Sequence, residues 1–393
     1  MTNRTDKGLP EPDADARAHS DQVVAHIRGA IAAGGGAIAF DDYMASALYA
    51  PGLGYYSAGQ ARFGRGGDYV TAPLISELFA RTLARQVAEV LALTGGEILE
   101  LGAGTGHMAA DILNELERLD ALPKRFRILE VSASLRAQQA TTLAERAGGL
   151  AERVQWLNGL PDEPIHGVIL ANEVMDAVPV KRFRIDSGEP REIVVTDDAG
   201  LQLDLADPAP ELARAVERIQ TEIGRELPGG YTSEWSPSLA GWLGSLSDSL
   251  GHGAALVVDY GFPRGEYYHP QRGSGTLVCH YRHHAHDDAL LWPGLQDISA
   301  FVDFTRAAGA ASEAGLTIAG YNTQAHFLMG AGLPQLLEEL GRDDPERAAA
   351  LTQESKQLVM PGEMGEKFKV LGVTRGDLPP LAGFSQFDHS ARL

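Results

Sequence analysis

The sequence has a single cysteine, Cys279, in 393 residues. One thiol excludes an internal disulfide and a zinc site built from cysteines. No apolar run approaches the roughly 18 residues that a membrane-spanning helix needs. The N-terminal segment is polar and acidic, whereas a secretory signal needs an apolar core and a mitochondrial transit peptide avoids acidic residues. These absences predict no membrane span and a cytoplasmic location.

Basic residues are also scarce, since 33 Lys and Arg stand against 53 Asp and Glu, for a net charge of −20. Nucleic-acid binding requires basic side chains that neutralise phosphates, so this balance disfavours a nucleic-acid partner. The same field attracts cationic substrates. A protein segment that carries an arginine is one such partner.

Glycine, by contrast, is concentrated where a predicted strand ends and a helix begins. The order there is Glu100, Gly102, Gly104, Gly106 and then His107. A dinucleotide fingerprint needs a glycine at position 107. The order Glu-x-Gly-x-Gly-x-Gly instead resembles the first motif of class I S-adenosylmethionine (SAM) methyltransferases, in which the strand-end carboxylate lies near the methionine moiety. A dinucleotide site and a purely structural glycine turn are the alternatives.

The surrounding pattern alternates strands and helices, which predicts a parallel sheet with ligands at the carboxyl ends of its strands. We expect an α/β, Rossmann-like, doubly wound sheet with a late antiparallel strand, an N-terminal helical cap and insertions. The predicted segments are a disordered tail (1–22), the cap (23–93), the first part of the SAM-binding core (94–180), an insertion of strands and a helix (181–252), and the second part of the core (253–393) with a substrate-side excursion (262–311).

Polar or aromatic residues end the next two predicted strands. Glu130 follows Gly106 by 24 residues, near the spacing of about 20 at which a carboxylate accepts the ribose hydroxyls of a nucleotide. Trp156 and Leu157 end the third strand, where SAM enzymes border the adenine. Trp156 offers a stacking face, although a core position is equally compatible with the pattern.

Three polar residues, Asn172, Glu173 and Asp176, follow the fourth predicted strand. This strand end lies beside the transferred methyl group in the SAM methyltransferase fold. Carboxylates there can orient a guanidinium bidentately and hold its charge away from the attacking nitrogen. We therefore predict that these three residues are catalytic and that Asn172 also contacts the cofactor. Helix capping is the structural alternative.

Histidines cluster in the segment 279–287. Their spacing and a nearby aspartate could assemble metal ligands, but the local pattern indicates a loop, and no metal site is predicted. His283 and His286 are instead candidates for substrate binding. Asp297 and Asp303 are further candidates for contacting a cationic substrate.

Together these segments resemble the MidA-like family of class I methyltransferases, whose mitochondrial members are complex I assembly factors that methylate arginine. The matching motifs are Phe63-Gly-x-x-Gly-Asp-Tyr-x-Thr71, the glycine turn at 100–106, Asn172-Glu-Val-Met-Asp-Ala-Val-Pro179, Asp259-Tyr-Gly261, His283 with His286, Pro293-Gly-x-x-Asp297 to Phe304, and Pro361-Gly-Glu-Met-Gly365. The resemblance implies that Gly67, Asp68 and Thr71 help close the SAM site. It also implies a symmetric ω-dimethylarginine product on a respiratory complex I subunit.

The sequence thus predicts a SAM-dependent methyltransferase acting on a protein arginine, with S-adenosylhomocysteine as the spent cofactor. Two alternatives remain. One is a small-molecule methyltransferase of the same fold. The other is a SAM-binding assembly factor without turnover.

Overall fold

The computed structural model describes residues 8–58 and 71–393. Its strands, in chain order, are β1 (Ala37–Ala39), β2 (Glu97–Leu101), β3 (Phe126–Leu129), β4 (Val154–Leu157), β5 (Ile165–Asn172), β6 (Lys181–Asp186), β7 (Glu189–Asp197), β8 (Leu201–Ala206), β9 (Thr232–Trp235), β10 (Leu250–Phe262), β11 (Val278–Tyr281), β12 (His284–His286), β13 (Asp297–Ser299), β14 (Val302–Asp303), β15 (Thr317–Thr323) and β16 (Phe368–Arg375).

The α-helices are α1 (Ala14–Ala33), α2 (Phe40–Tyr49), α3 (Ala72–Ile75), α4 (Glu77–Thr94), α5 (His107–Arg118), α6 (Ala133–Ala147), α7 (Pro210–Ile223), α8 (Leu239–Ser249), α9 (Arg264–Tyr267), α10 (Phe304–Glu313), α11 (Gln324–Gly330), α12 (Leu333–Gly341), α13 (Pro345–Val359), α14 (Met364–Lys367) and α15 (Ala382–Ser385). Short 3-10 helices cover Gly148–Arg153, Pro270–Arg272 and Ser390–Arg392.

The chain divides into two compact units. The first, here called the insertion unit, comprises residues 1–69, 176–239 and 264–301. The second, here called the core unit, comprises residues 70–175, 240–263 and 302–393. The segments predicted as an insertion and as an excursion therefore belong largely to one unit, together with the first helices of the chain.

The core unit is built on one sheet with the strand order β15-β16-β10-β5-β2-β3-β4, and β14 pairs with β10. The strands from β10 to β4 run parallel, whereas β16 is antiparallel to both of its neighbours. This arrangement confirms the predicted fold class, including the late antiparallel strand. The buried faces of these strands pack with α4 and α5 in one apolar core.

The register of the parallel strands brings their carboxyl ends to the same edge. Leu101 of β2 pairs with Leu129 of β3 and with Ala171 of β5, and Leu129 pairs with Leu157 of β4. Residues that end or follow these strands consequently meet at this edge, which is where ligands of open α/β sheets bind.

The insertion unit contains two antiparallel sheets. One has the order β1-β7-β6-β9 with β8 paired to β7, and the other has the order β12-β11-β13. Its apolar core includes Val23 and Ile27 of α1, Tyr43 of α2, and Ile298 of β13.

The first helix begins earlier in the chain than the sequence indicates. Residues 1–22 are predicted to be a disordered tail, but α1 begins at Ala14, and residues 1–7 lie outside the described part. The Asp13 carboxylate caps α1 by accepting a hydrogen bond from the Ala16 N–H at 2.9 Å, a common cap at a helix N-terminus. Because Ser20, Val23 and Ile27 form its buried face, tertiary packing holds the polar first turns in the helix.

No helix in residues 8–58 and 71–393 is long and apolar enough to cross a membrane.

The apolar core of the core unit provides a stability test at Phe384, which is 6% exposed and packs against Phe327 in a tilted arrangement with 5.3 Å between ring centroids. A Cβ on Gly320 or Gly372 would lie 2.2 or 2.4 Å from ring atoms of Phe384, so this ring fills the space above both glycines. Phe384→Ala should lower the free energy of unfolding by about 3–5 kcal/mol, measured by urea denaturation. Phe387→Ala, at a ring 47% exposed, is the matched control and should cost much less; equal losses would contradict this account of the core.

Candidate active site

The glycine turn after β2 requires its glycines. Gly102, Gly104 and Gly106 have φ of 67°, 52° and 84°, values that L residues with a side chain rarely adopt. A Cβ at Gly102 would lie 3.1 Å from Val174 Cγ2, and a Cβ at Gly106 would lie 3.1 Å from Gln139 Cα. The backbone therefore packs closely against its neighbours, and α5 begins directly after it, with free N–H groups in its first turn.

Glu100 lies just before this turn and is fully buried. Neither of its carboxylate oxygens has a hydrogen-bond partner among the described residues. Burial, with a contribution from the negative charge of Glu130, raises the pKa of Glu100 to about 8. A buried carboxylate without donors is costly, and a ligand that supplies N–H donors or positive charge would relieve that cost.

Glu130 follows β3 and is better satisfied. Its Oε1 accepts a hydrogen bond from the Ser132 N–H at 2.9 Å, and its Oε2 accepts one from Gln139 Nε2 at 3.1 Å. Burial raises the pKa of Glu130, and these hydrogen bonds partly offset the rise. A carboxylate offers about four lone-pair sites, so Glu130 retains capacity to accept a hydrogen bond from a ribose hydroxyl.

Trp156 and Leu157 end β4 at the same edge. The Trp156 side chain is half-buried, and its indole N–H donates to Gln139 Oε1 at 2.8 Å. The Leu157 carbonyl accepts from Arg136 Nη2 at 2.6 Å, and Arg136 Nε also donates to the Glu130 carbonyl at 2.6 Å. Arg136 thus ties together the ends of β3 and β4.

The turn after β5 is shaped by a residue that the sequence analysis did not assign to the site. Asp259 Oδ2 accepts hydrogen bonds from the N–H groups of Val174 and Met175 at 3.2 and 2.9 Å. Glu173 has a φ of 54°, which is uncommon for a residue with a side chain. Asn172 Nδ2 donates to Glu173 Oε1 at 3.1 Å, and Asn172 Oδ1 is buried without a partner among the described residues.

Asp176 belongs to the insertion unit. It is 7% exposed, and its backbone carbonyl accepts from the Ala300 N–H at 2.9 Å. Burial of the hydroxyl and the negative charges of Asp297 and Asp176 raise the pKa of Tyr49, although 41% of the Tyr49 surface is exposed. The Asp176 carboxylate therefore lies in an acidic and aromatic environment.

We call that environment the acidic aromatic cluster, and define it as Tyr49, Tyr56, Asp176, Asp297 and Ser299. The rings of Tyr49 and Tyr56 stack with 5.6 Å between centroids and 20° between planes. Asp297 accepts hydrogen bonds from the Tyr56 hydroxyl at 2.8 Å and from the Ser299 hydroxyl at 2.6 Å. Of the four residues proposed to bind substrate, Asp297 is thus placed with Asp176.

The other three candidates for substrate binding, Asp303, His283 and His286, lie outside this cluster as it is defined here. Asp303 caps α10 by accepting from the Arg306 N–H at 3.1 Å, which accounts for a carboxylate there without a ligand. His283 lies at the turn between β11 and β12, and His286 accepts from the Asp288 N–H at 3.3 Å. No group of three or more potential metal ligands occurs in the described residues.

Of the residues that the family resemblance adds, Gly67 and Asp68 lie outside the described residues, and Thr71 is half-buried directly before α3.

Sequence reasoning placed Asp259 in a family motif without giving it a role, and it missed Gln139. Asp259 comes near the end of the long buried strand β10, the same strand-end position that marked Glu100 and Glu130. Gln139 lies on the buried face of α6 in line with Leu135 and Leu143. A polar residue within an apolar helical stripe was the sequence signal that could have identified Gln139.

The fold and the site define a class I SAM-dependent methyltransferase. A model of the S-adenosyl-L-methionine-dependent methyltransferase family matches residues 82–322. A solved structure from Burkholderia thailandensis, bound to S-adenosyl-homocysteine, is 41% identical with a TM-score of 0.92, and the match covers 98% of this chain and 100% of that one.

Named relatives extend the comparison. A protein arginine methyltransferase, NDUFAF7, from Bos taurus is 31% identical over 86% of this chain and 80% of its own length. NDUFAF7 from Danio rerio is 28% identical over 93% of both chains. The chain belongs to the MidA-like family of SAM-dependent methyltransferases, and its cofactor is SAM.

The cytoplasmic location predicted from the sequence is wrong on this comparison, because the curated relatives are named as mitochondrial proteins. That prediction depended on the composition of the N-terminal segment and on a single cysteine. Neither property is part of the candidate site.

A substitution at Glu100 tests the site, because it should change the stability of the protein and its affinity for the cofactor in opposite directions. Because its pKa is raised to about 8 in the folded protein, the folded state retains a proton that the unfolded state has lost, and stability falls as pH rises toward 8. Glu100→Gln removes this penalty. We expect a higher unfolding temperature than wild type at pH 8 without ligand, and at least tenfold weaker S-adenosylhomocysteine binding, by scanning and titration calorimetry.

Glu152→Gln, at an exposed glutamate, is the matched control and should change neither quantity. Wild-type affinity for S-adenosylhomocysteine in Glu100→Gln would overturn the assignment of this carboxylate to the cofactor.

Proposed function

We propose that this protein transfers methyl groups from SAM to an arginine side chain of a protein substrate. We further propose that the product is symmetric ω-dimethylarginine on a subunit of respiratory complex I. The names of the relatives support arginine as the acceptor. The net charge of −20 supports a cationic substrate.

The observation that carries the proposal is the acidic aromatic cluster of the insertion unit. A guanidinium is planar, binds carboxylates through paired N–H groups and stacks on aromatic rings. Stacked Tyr49 and Tyr56 offer such a ring face, and Asp176 and Asp297 supply negative charge beside it. This combination matches the three recognition properties of an arginine side chain.

The core unit accounts for the cofactor. We assign Glu100, the glycines at 102, 104 and 106, Glu130, Trp156, Leu157 and Asn172 to SAM binding, with Gly67, Asp68 and Thr71 as further members of the set. Bound SAM supplies an electrophilic methyl group on a sulfonium. The remaining contribution of the protein is alignment of the acceptor nitrogen and exclusion of water.

Asn172, Glu173 and Asp176 are our proposed catalytic residues. Paired hydrogen bonds from a guanidinium to a carboxylate would hold its plane and concentrate positive charge on the nitrogens that do not react. The methylated nitrogen must then lose a proton, and a carboxylate can accept it. The Asn172 amide, which donates to Glu173, orients that carboxylate.

Asp176→Asn tests the catalytic assignment. The amide preserves the size of the side chain but removes the charge, so we expect kcat to fall by about 10²-fold while S-adenosylhomocysteine affinity stays within about twofold. The assay transfers labelled methyl from SAM to proteins in a lysate of cells that lack this enzyme, followed by hydrolysis and mass spectrometry of arginine derivatives.

Asp207→Asn, at a side chain 92% exposed in the same unit, is the matched control. Label in small molecules rather than in protein would favour the small-molecule alternative. Tight cofactor binding without any labelled product would favour the assembly factor.

Tyr49 provides a separate test of guanidinium binding. Tyr49→Leu removes the ring face and should raise KM for the arginine substrate about tenfold, since a cation–π contact contributes roughly 0.5–2 kcal/mol. Tyr49→Phe keeps the ring, loses only the hydrogen bond to the Ala177 carbonyl, and should keep KM near the wild-type value. An equal rise in both variants would indicate that the hydroxyl, not the ring face, matters.

A further inference from the structure

We propose that Gln139 is a positioning residue for the cofactor, holding the glycine turn, the ribose-side carboxylate and the adenine-side tryptophan in one arrangement. Gln139 lies on α6 and is fully buried in the core unit. The inference rests on the proposed assignment of Glu130 and Trp156 to the cofactor and does not depend on the identity of the methyl acceptor.

Three of the four hydrogen-bonding positions of the Gln139 amide are used. Nε2 donates to the Gly104 carbonyl at 2.9 Å and to Glu130 Oε2 at 3.1 Å. Oε1 accepts from the Trp156 indole N–H at 2.8 Å. A carboxamide has two donor hydrogens and two acceptor lone pairs, so both donors and one lone pair are engaged.

The chemistry of the partners fixes the orientation of the amide. A carbonyl and a carboxylate only accept, and an indole N–H only donates. Rotating the amide by 180° would direct oxygen toward two acceptors and N–H toward a donor. Glutamine is therefore matched to this place, whereas an ionised glutamate would face the Gly104 carbonyl and Glu130 with repulsive oxygens.

Each partner connects to a part of the site that contacts the cofactor. Because the peptide bond is planar and trans, a Gly104 carbonyl directed at Gln139 turns the following N–H, that of Thr105, to the opposite side. The hydrogen bond to Glu130 holds that carboxylate at one oxygen, and the bond to Trp156 sets the rotation of its ring. Close packing adds to this control, since α6 approaches Gly106 so closely that a Cβ there would lie 3.1 Å from Gln139 Cα.

A buried glutamine could also be a purely structural feature, and the core unit contains a suitable comparison. Gln86 is fully buried, its Nε2 donates to Glu89 at 2.7 Å, and its Oε1 accepts from the Gly383 N–H at 2.9 Å. Gln86→Met and Gln139→Met thus make the same chemical change in hydrogen-bonded, buried amides of one unit.

The experiment is calorimetric titration of the full chain with S-adenosylhomocysteine, together with thermal unfolding without ligand. We expect Gln139→Met to raise the Kd at least tenfold and to raise KM for SAM more than it lowers kcat, whereas Gln86→Met lowers the unfolding temperature but keeps Kd within about twofold. Similar unfolding temperatures in both variants, with a wild-type Kd in Gln139→Met, would overturn the proposal.

Gln139→Glu gives a second readout that a structural role would not produce. A protonated glutamate retains one donor for Glu130 or the Gly104 carbonyl, but its ionised form has none. The Kd for S-adenosylhomocysteine should therefore rise with pH above the pKa of the introduced carboxyl, by up to tenfold per pH unit. A pH profile parallel to that of wild type would overturn the proposal even if Gln139→Met does not fold.

Discussion

Glu100 and Glu130 lie close enough at the carboxyl edge of the sheet for the charge of Glu130 to contribute to the raised pKa of Glu100, and both are buried. Two carboxylates removed from water in one place are unfavourable unless donors or positive charge compensate them. Among residues 8–58 and 71–393, hydrogen-bond donors reach the Glu130 carboxylate but not that of Glu100. Under the proposed assignment of Glu100 to the cofactor, the free energy cost of burying this carboxylate would be relieved on binding, so cofactor affinity and the lower stability of the free protein would have the same origin.

A third buried carboxylate, that of Asp259, differs from Glu100 because the protein itself supplies its hydrogen-bond donors. Asp259 accepts backbone N–H groups from the turn after β5 and so holds the segment that contains Glu173 in its uncommon backbone conformation. Strain of this kind persists only where surrounding contacts impose it. The sheet edge therefore has two kinds of acid: Asp259 accepts hydrogen bonds that fix the backbone, whereas Glu100 has no hydrogen-bond partner among the described residues.

The insertion unit builds its acidic aromatic cluster from three stretches of the chain. Tyr56 and Asp297 are 241 positions apart in sequence and joined by one hydrogen bond. The cluster comes from the turn after α2, the segment that follows β5, and the three-stranded sheet. The composition of the cluster thus depends on how these stretches pack.

Local features of the sequence determined the fold class and identified which polar residues end the strands at the proposed site. The glycine turn, the acidic residues at strand ends and the alternating apolar segments are encoded within a few residues, and the strand order confirms the fold they predict. Local sequence gave a wrong prediction at α1. The first turns of this helix resemble a disordered tail in composition, and the packing of the helix from Ser20 onward holds them in place. The composition of the N-terminal segment likewise led to a wrong prediction of cellular location.

Tertiary structure alone decided the contacts of Gln139, Asp259 and Tyr49. Each acts through partners in other segments, and a hydrogen bond or a stacked ring between distant segments leaves no periodic signal in the chain. It also decided that Asp303 is a helix cap while Asp297 joins Tyr56, although both are aspartates in one short motif. Sequence specifies which side chains reach the sheet edge, but only the packed structure determines which of them remain without partners and so select a ligand.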